Sequence, residues 1–388
     1  MESTSGTLYL FIIWEKSRHK TNDIMDDLKH NYVIREIYDV KWTGENFLNN
    51  LQRFYGKSLP DAKIKSELCG TGSFLVVIVT DPEPKFNVIR HQFKEDYVNS
   101  NVNQSKRKYR KWIGEDFTVH SSISENETNH NLTLLFGKNT RDFEEELPKE
   151  WDGIIKNFES DLIGYNGWND MNELFYVMNG TVNYVILRNF EEMPVKFDYH
   201  DVDLLVNDEK LAFIVNKDFS LLKDNIRAIK FRVGDNDIIF NPNYLGDNYY
   251  DEKWENDILK KRVLHPNGFY IPEKNDYFFT LLYHVLFHDR WKNQGRISEK
   301  YKKILLDLAK GLDFHNITET SLKDLDFLKK TLDEYMENSS YSYTENLQYK
   351  LRHSNYSKLL RKAIYIGKTE GFTVLLGAVF RKITTIQQ

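Results

Sequence analysis

Two aspartates separated by one residue, Asp201 and Asp203, stand at the entrance to an apolar run, residues 202–206. A second apolar run, 184–187, precedes them, and Pro194 sits in the charged stretch between, so 184–206 reads as strand, loop, strand. Side chains alternate faces along a strand, and an Asp-x-Asp pair therefore projects both carboxylates to one side. Carboxylates held that close repel each other unless a cation lies between them, and oxygen donors favour a hard one, Mg²⁺ or Mn²⁺. A cation held this way can neutralise and orient phosphate oxygens, which need little covalent chemistry from the protein. Two solvated acids on a surface strand would show the same spacing.

Three further places carry reactive side chains. His120 lies just ahead of a helix start in which Ser124 and Glu127 form a capping box, a setting of free N–H donors that welcomes phosphate. Nearby, Lys106, Arg107, Lys108, Arg110 and Lys111 form either a polyanion grip or a solvated basic helix face. Asp247 follows Gly246 and is either a cation ligand or a turn residue. His284 and His288 are four apart and share one helix face. The residue after His284 is Val285 instead of the glutamate of a zinc-protease motif, so core or cleft histidines are expected, with Asp276 two turns earlier on the same cleft wall. Asp276, His284 and His288 are thus the candidate acceptor contacts.

The elements that must position these groups follow from hydrophobic periodicity. Strands are expected at 8–14, 33–42 and 74–79, with helices at 22–30, 43–55 (Thr43 as N-cap) and 104–112. A strand leads into His120, and a helix ending at Gly137 follows it. The order is strand-helix repeated four times, a ferredoxin-like α/β (α+β) pattern over residues 1–140. A charged stretch with Pro148 marks a linker at 141–160, although 151–160 and 168–178 read as helices. A mixed sheet is expected over 161–250, with strands at 210–215, 226–233 and 237–241. The remainder, 251–388, reads as helices at 254–263, 275–289, 298–312 and 321–335. A less regular stretch at 347–365 and a tail at 372–386 packing on its own domain complete it.

Composition narrows the class. At 388 residues two or more cores are expected, and 40% hydrophobic with 29% charged residues is globular. A net charge of −5 argues against a dedicated nucleic-acid binder. One cysteine, Cys69, excludes an intrachain disulfide framework and suits a reducing compartment. No apolar run is long enough for a membrane span, and no secretory signal is apparent, so a soluble cytoplasmic protein is expected.

Two resemblances sharpen these expectations. Residues 184–206 resemble the nucleotidyltransferase superfamily that includes DNA polymerase β and small antibiotic-modifying enzymes. In that family an apolar strand carrying Asp-x-Asp follows a short Gly-Ser turn; Arg188 and Asn189 occupy the turn here. The resemblance implies Mg²⁺ or Mn²⁺ on Asp201 and Asp203, a nucleoside triphosphate contacted by Arg188, Asn189 and Asn241, and a third carboxylate on a later strand. Asn241 holds that third place. The segments Ile12-Ile13-Trp14, Phe54-Tyr55, Gly70-Thr-Gly-Ser73 and His120-Ser-Ser-Ile-Ser124 resemble nucleoside diphosphate kinase motifs. There His120 would carry the phosphoryl group. Trp14 replaces a lysine, Phe117 an asparagine, and Ser121 a glycine.

Three functions remain in view. The first is a metal-dependent nucleotidyl- or phosphoryltransferase acting on a small-molecule or glycan acceptor through Asp201 and Asp203. Its first domain would bind nucleotide or mediate homo-oligomer formation. The second is a phosphotransferase working through His120, and the third a nucleotide-binding scaffold or sensor with both halves inactive.

Overall fold

The computed structural model describes residues 7–59, 61–91, 94–194, 202–207, 210–215, 228–289 and 297–344. Asp201 and the expected segments 347–365 and 372–386 lie outside the described residues. The fold is mixed α/β, with helices and mixed sheets. It divides into two compact units, the residues up to Tyr244 with Arg262–Ile271, and Leu245–Lys261 with the residues from Pro272 onward.

The first unit begins with β1 (Leu8–Ile13), α1 (Thr21–Asn31), β2 (Val33–Lys41), α2 (Phe47–Tyr55), α3 (Ala62–Cys69) and β3 (Phe74–Thr80). A hairpin of β4 (Phe86–His91) and β5 (Lys94–Asn99) leads into α4 (Ser100–Ile113) and β6 (Val119–Ser121). Then come α5 (Glu125–Phe136), α6 (Thr140–Glu146) and β7 (Ile155–Glu159). The sheet order is β6-β1-β3-β2-β7. β1 runs antiparallel to β3 and β6, β2 antiparallel to β3, and β7 parallel to β2. The runs LYLFII and FLVVIVT are buried at every position, as central strands covered on both faces must be. Trp14 continues β1 into an aromatic cluster with Phe74 at 4.4 Å, Trp42 at 5.7 Å and Phe47 at 6.2 Å.

The same unit continues through α7 (Met171–Thr181), β8 (Tyr184–Ile186), β9 (Val202–Val206), α8 (Lys210–Val215), β10 (Ile229–Val233), β11 (Asn236–Tyr244) and the short pair β12 (Val263–Leu264) and β13 (Tyr270–Ile271). Its second sheet has the order β10-β11-β9-β8, with β9 and β11 parallel and the outer pairs antiparallel. Arg53 ties the two sheets' helices together. The side chain is 1% exposed and donates to the backbone oxygens of Leu162, Ile163, Phe213 and Ile214. Two of these acceptors are last-turn carbonyls of α8, where a cation also meets the negative end of the helix dipole. Burial pulls the guanidinium down to about 10.

Several expectations change. Residues 210–215 form the helix α8 instead of a strand: KLAFIV is apolar almost throughout, so its period is silent, and Arg53 completes the helical end. Residues 155–159, expected as helix within a linker, pair in parallel with β2; Gly153 at φ +90° breaks a helical path before them. Thr43 does not cap α2. It precedes a 3₁₀ turn, and Asp161 accepts from the Thr43 N–H and from the amides of Asn46 and Asn50. Helix α3 and the β4–β5 hairpin went unread, because their polar, mixed patterns match neither period well.

The second unit is helical, with α9 (Glu252–Lys261), α10 (Lys274–His284) running on into a π turn at Val285–Asp289, α11 (Glu299–Gly311) and α12 (Leu325–Asn338). Trp254, fully buried, packs among Tyr250, Tyr283, Tyr335 and Tyr341 at ring distances of 4.9 to 5.9 Å. Among the described residues no helix is long and apolar enough to cross a membrane.

Candidate functional site

Asp203 lies on β9 in parallel register with Asn241 on β11. Register partners project from the same sheet face, so the carboxylate and the amide stand side by side. Their neighbours Val202, Leu204 and Phe240 are buried on the other face. At the turn after β8, Leu187 donates its N–H to the Asp203 carbonyl at 2.9 Å. Arg188 then places its guanidinium 2.9 Å from Asp203 Oδ2. The arginine side chain is 6% exposed and the aspartate 23%, so this is a desolvated pair with real mutual dependence, unlike a surface ion pair. Asn189 takes the left-handed conformation at φ 62°, which asparagine tolerates better than most residues. Its Oδ1 is buried without a hydrogen-bond partner among the described residues. Three of the expected site residues besides Asp203, namely Arg188, Asn189 and Asn241, thus belong to the turn and strands that flank it.

These oxygens suit a hard cation in kind. Asp203 offers a charged oxygen donor, and the Asn189 carbonyl, unpaired among the described residues, is an acceptor for a donor or an ion. Among the described residues no three His, Cys, Asp or Glu side chains gather as a metal cluster, and Asp201 stands outside them.

His120 is on β6, 7% exposed. Asn131 of α5 stands 2.9 Å from its Nε2 and Glu127 at 3.8 Å, while the rings of Tyr55 and Phe54 meet it edge-on at 5.4 and 5.7 Å. Burial pushes the imidazole well below its usual range, and Lys106, Lys65 and Arg110 push it further. Ser124 does cap α5, accepting from the Glu127 N–H, and Glu127 accepts in return from the Ile123 N–H. Lys65, absent from any sequence expectation, hydrogen-bonds the Phe117 carbonyl and sits over the rings of Trp14 and Tyr55. Burial brings it down to about 8. It comes from α3, the helix that periodicity did not reveal. Of the basic run, Lys106 and Arg110 face this pocket, Arg110 donating to the Val119 carbonyl, whereas Lys108 pairs with Asp27.

In the helical unit, Asp247 accepts the Tyr249 N–H, as a turn residue does. Asp276 is 1% exposed, and its Oδ1 accepts from the Tyr335 hydroxyl and the Trp254 indole. It is a core carboxylate in place of the expected cleft-wall residue, because the aromatic cluster closes over it. His284 and His288 do share a face, with rings 5.8 Å apart, His288 stacked on Tyr249 and His284 edge-on to Tyr301.

Set against known proteins, the chain matches no family model, no curated protein and no solved structure.

Proposed function

We propose that the sheet β10-β11-β9-β8 is a nucleotidyl- or phosphoryl-transfer module of the polymerase-β type, centred on Asp203. The observation that carries this reading is the register of Asp203 with Asn241, combined with the Arg188 guanidinium on the same carboxylate. What supports the reading is the succession of strand β8, a turn, β9 and a later strand β11 paired with it. Asp203 and Asp201 would hold Mg²⁺ or Mn²⁺, which supplies charge neutralisation and orientation for a triphosphate. Arg188 keeps the carboxylate in place before a ligand arrives and offers a cation to its phosphates afterwards. Asn241 orients but cannot take a proton, so removing one from an acceptor hydroxyl falls to a carboxylate. The acceptor is a small molecule or glycan in this reading.

In this reading the first sheet serves as a ferredoxin-like, nucleotide-binding or scaffolding half of nucleoside diphosphate kinase type, without kinase turnover. Trp14 is a core residue there, and Lys65 is engaged by the Phe117 carbonyl. Titration calorimetry with each of the four nucleoside triphosphates and Mg²⁺ tests the main reading. At least one triphosphate should bind wild type and lose that affinity in Asp203→Asn, whose fold is retained. Equal affinity in both proteins refutes it. Robust transfer from a triphosphate to a nucleoside diphosphate, abolished in His120→Ala, would overturn the assignment for the first sheet.

A further inference from the structure

A cleft of about 900 Å³ lies within the first unit, walled by α5, α6, α7 and the β12–β13 turn. Six of its lining side chains are asparagines: Asn126, Asn129, Asn139, Asn172, Asn179 and Asn267. Three of them build the wall. Asn129 accepts from the Thr140 N–H and hydroxyl and donates to the Gly180 carbonyl. Asn139 is tied to Asp142 and Tyr176, and Asn179 spans the Gly268 carbonyl and the Tyr184 hydroxyl. Asn126 and Asn172, by contrast, are exposed and make no side-chain hydrogen bond to the described residues. The cleft therefore combines a fixed polar wall with open amides, so little ordering is needed on binding.

Its charge and aromatic content narrow the ligand. Two carboxylates, Glu125 and Glu144, stand against one guanidinium, Arg141, which disfavours phosphate and other anions. Tyr270 carries Arg262 at 4.0 Å from its ring centre, and Tyr176 is anchored through its hydroxyl to Asp142. An amide offers a donor and an acceptor in one plane, which matches a pair of neighbouring hydroxyls, and a held tyrosine ring offers apolar surface to C–H groups. We propose that this cleft binds a neutral saccharide, of roughly two to three sugar units given the usual volumes of ligand pockets. The proposal stands apart from the Asp203 reading and does not depend on it.

The test is calorimetry with maltotriose, mannotriose and the fully N-acetylated chitotriose as probes, and with 3′-sialyllactose and trialanine as acidic and peptide comparisons. At least one neutral trisaccharide should bind with a Kd of about 1 mM or tighter. The double variant Asn126→Asp/Asn172→Asp, at exposed positions and unchanged in shape, should keep its melting temperature and weaken that binding at least tenfold. Tyr270→Ala should weaken it as well. No neutral trisaccharide bound up to about 10 mM, binding only of sialyllactose or trialanine, or an unchanged affinity in the folded double variant would each overturn the proposal.

Discussion

The first unit buries bases: His120 and His130 are both pushed down by burial, His130 to about 4, and Arg53 spends its donors on carbonyls, while the buried carboxylate of Asp81 is held by the amides of Asn99 and Asn101. Among the described residues of the second unit the buried charged side chains are two acids, Glu255 and Asp276, and no bases. Glu255, fully buried, takes the N–H groups of Gly246 and Tyr250 and is raised by burial to about 7, and burial raises Asp276 also. The difference teaches how each unit solves its interior. Two sheets leave helix ends and loop carbonyls facing inward, which donors must satisfy. A helical bundle with a tight loop at 246–250 leaves inward N–H groups instead, which a carboxylate satisfies.

The largest effect is expected at Arg53. Arg53→Met removes donors from Leu162, Ile163, Phe213 and Ile214 and should cost the first unit about 3–5 kcal/mol, as breaking a buried charged network does. Hydrogen exchange should show lost protection in α2 and α8 with that of α12 unchanged; equal loss in both units would break the contrast.

Next comes pH. A histidine with a depressed native pKa contributes stability that is full above the unfolded value near 6.5 and is lost as pH falls through the native value. The first unit should therefore weaken as pH falls below about 6.5, the His130 contribution being lost by about pH 4. A raised carboxyl does the reverse. Glu255 contributes stability that is full below about 4.5 and fades as pH rises through about 7. Exchange protection in the two units should thus move in opposite directions between pH 5 and 7, and parallel movement would contradict the account.

A smaller effect belongs to Glu255→Gln. It should flatten the second unit's pH response between about 4.5 and 7 and cost about 1–2 kcal/mol, since one N–H then faces an amide nitrogen. Smallest is Asp276→Asn. Its Oδ1 keeps the Trp254 and Tyr335 bonds, and Oδ2, which has no partner among the described residues, has no bond to lose. Urea denaturation should place the change within about 1 kcal/mol; a loss several times larger would mean that the carboxylate is charged and held.

Legibility in the sequence followed the same divide. The apolar runs of β1, β3, β8 and β9 and the heptad-like faces of α9, α11 and α12 are periodic, so local pattern suffices to find them. The strand that carries Asp203 followed from the strand-loop-strand spacing, while Arg188, Asn189 and Asn241 were singled out only through the resemblance. Lys65, Asn131 and Arg53 did not announce themselves: each acts through a partner more than ten residues away, and nothing in local spacing encodes such a meeting. Asp276 was read as a cleft residue because helical spacing tells which residues share a face and says nothing of what covers that face. Helix α8 and strand β7 were misassigned where tertiary partners, Arg53 and the edge of β2, outweighed ambiguous propensity.

The most direct test of the central claim is a crystal grown with Mn²⁺ and a non-hydrolysable nucleoside triphosphate, with anomalous scattering used to locate the metal. The account predicts a manganese peak at coordination distance, about 2.2 Å, from the Asp203 carboxylate, and phosphate oxygens within reach of Arg188. A strong peak elsewhere, or bound nucleotide with the Arg188–Asp203 pair intact and no metal beside it, would contradict the assignment.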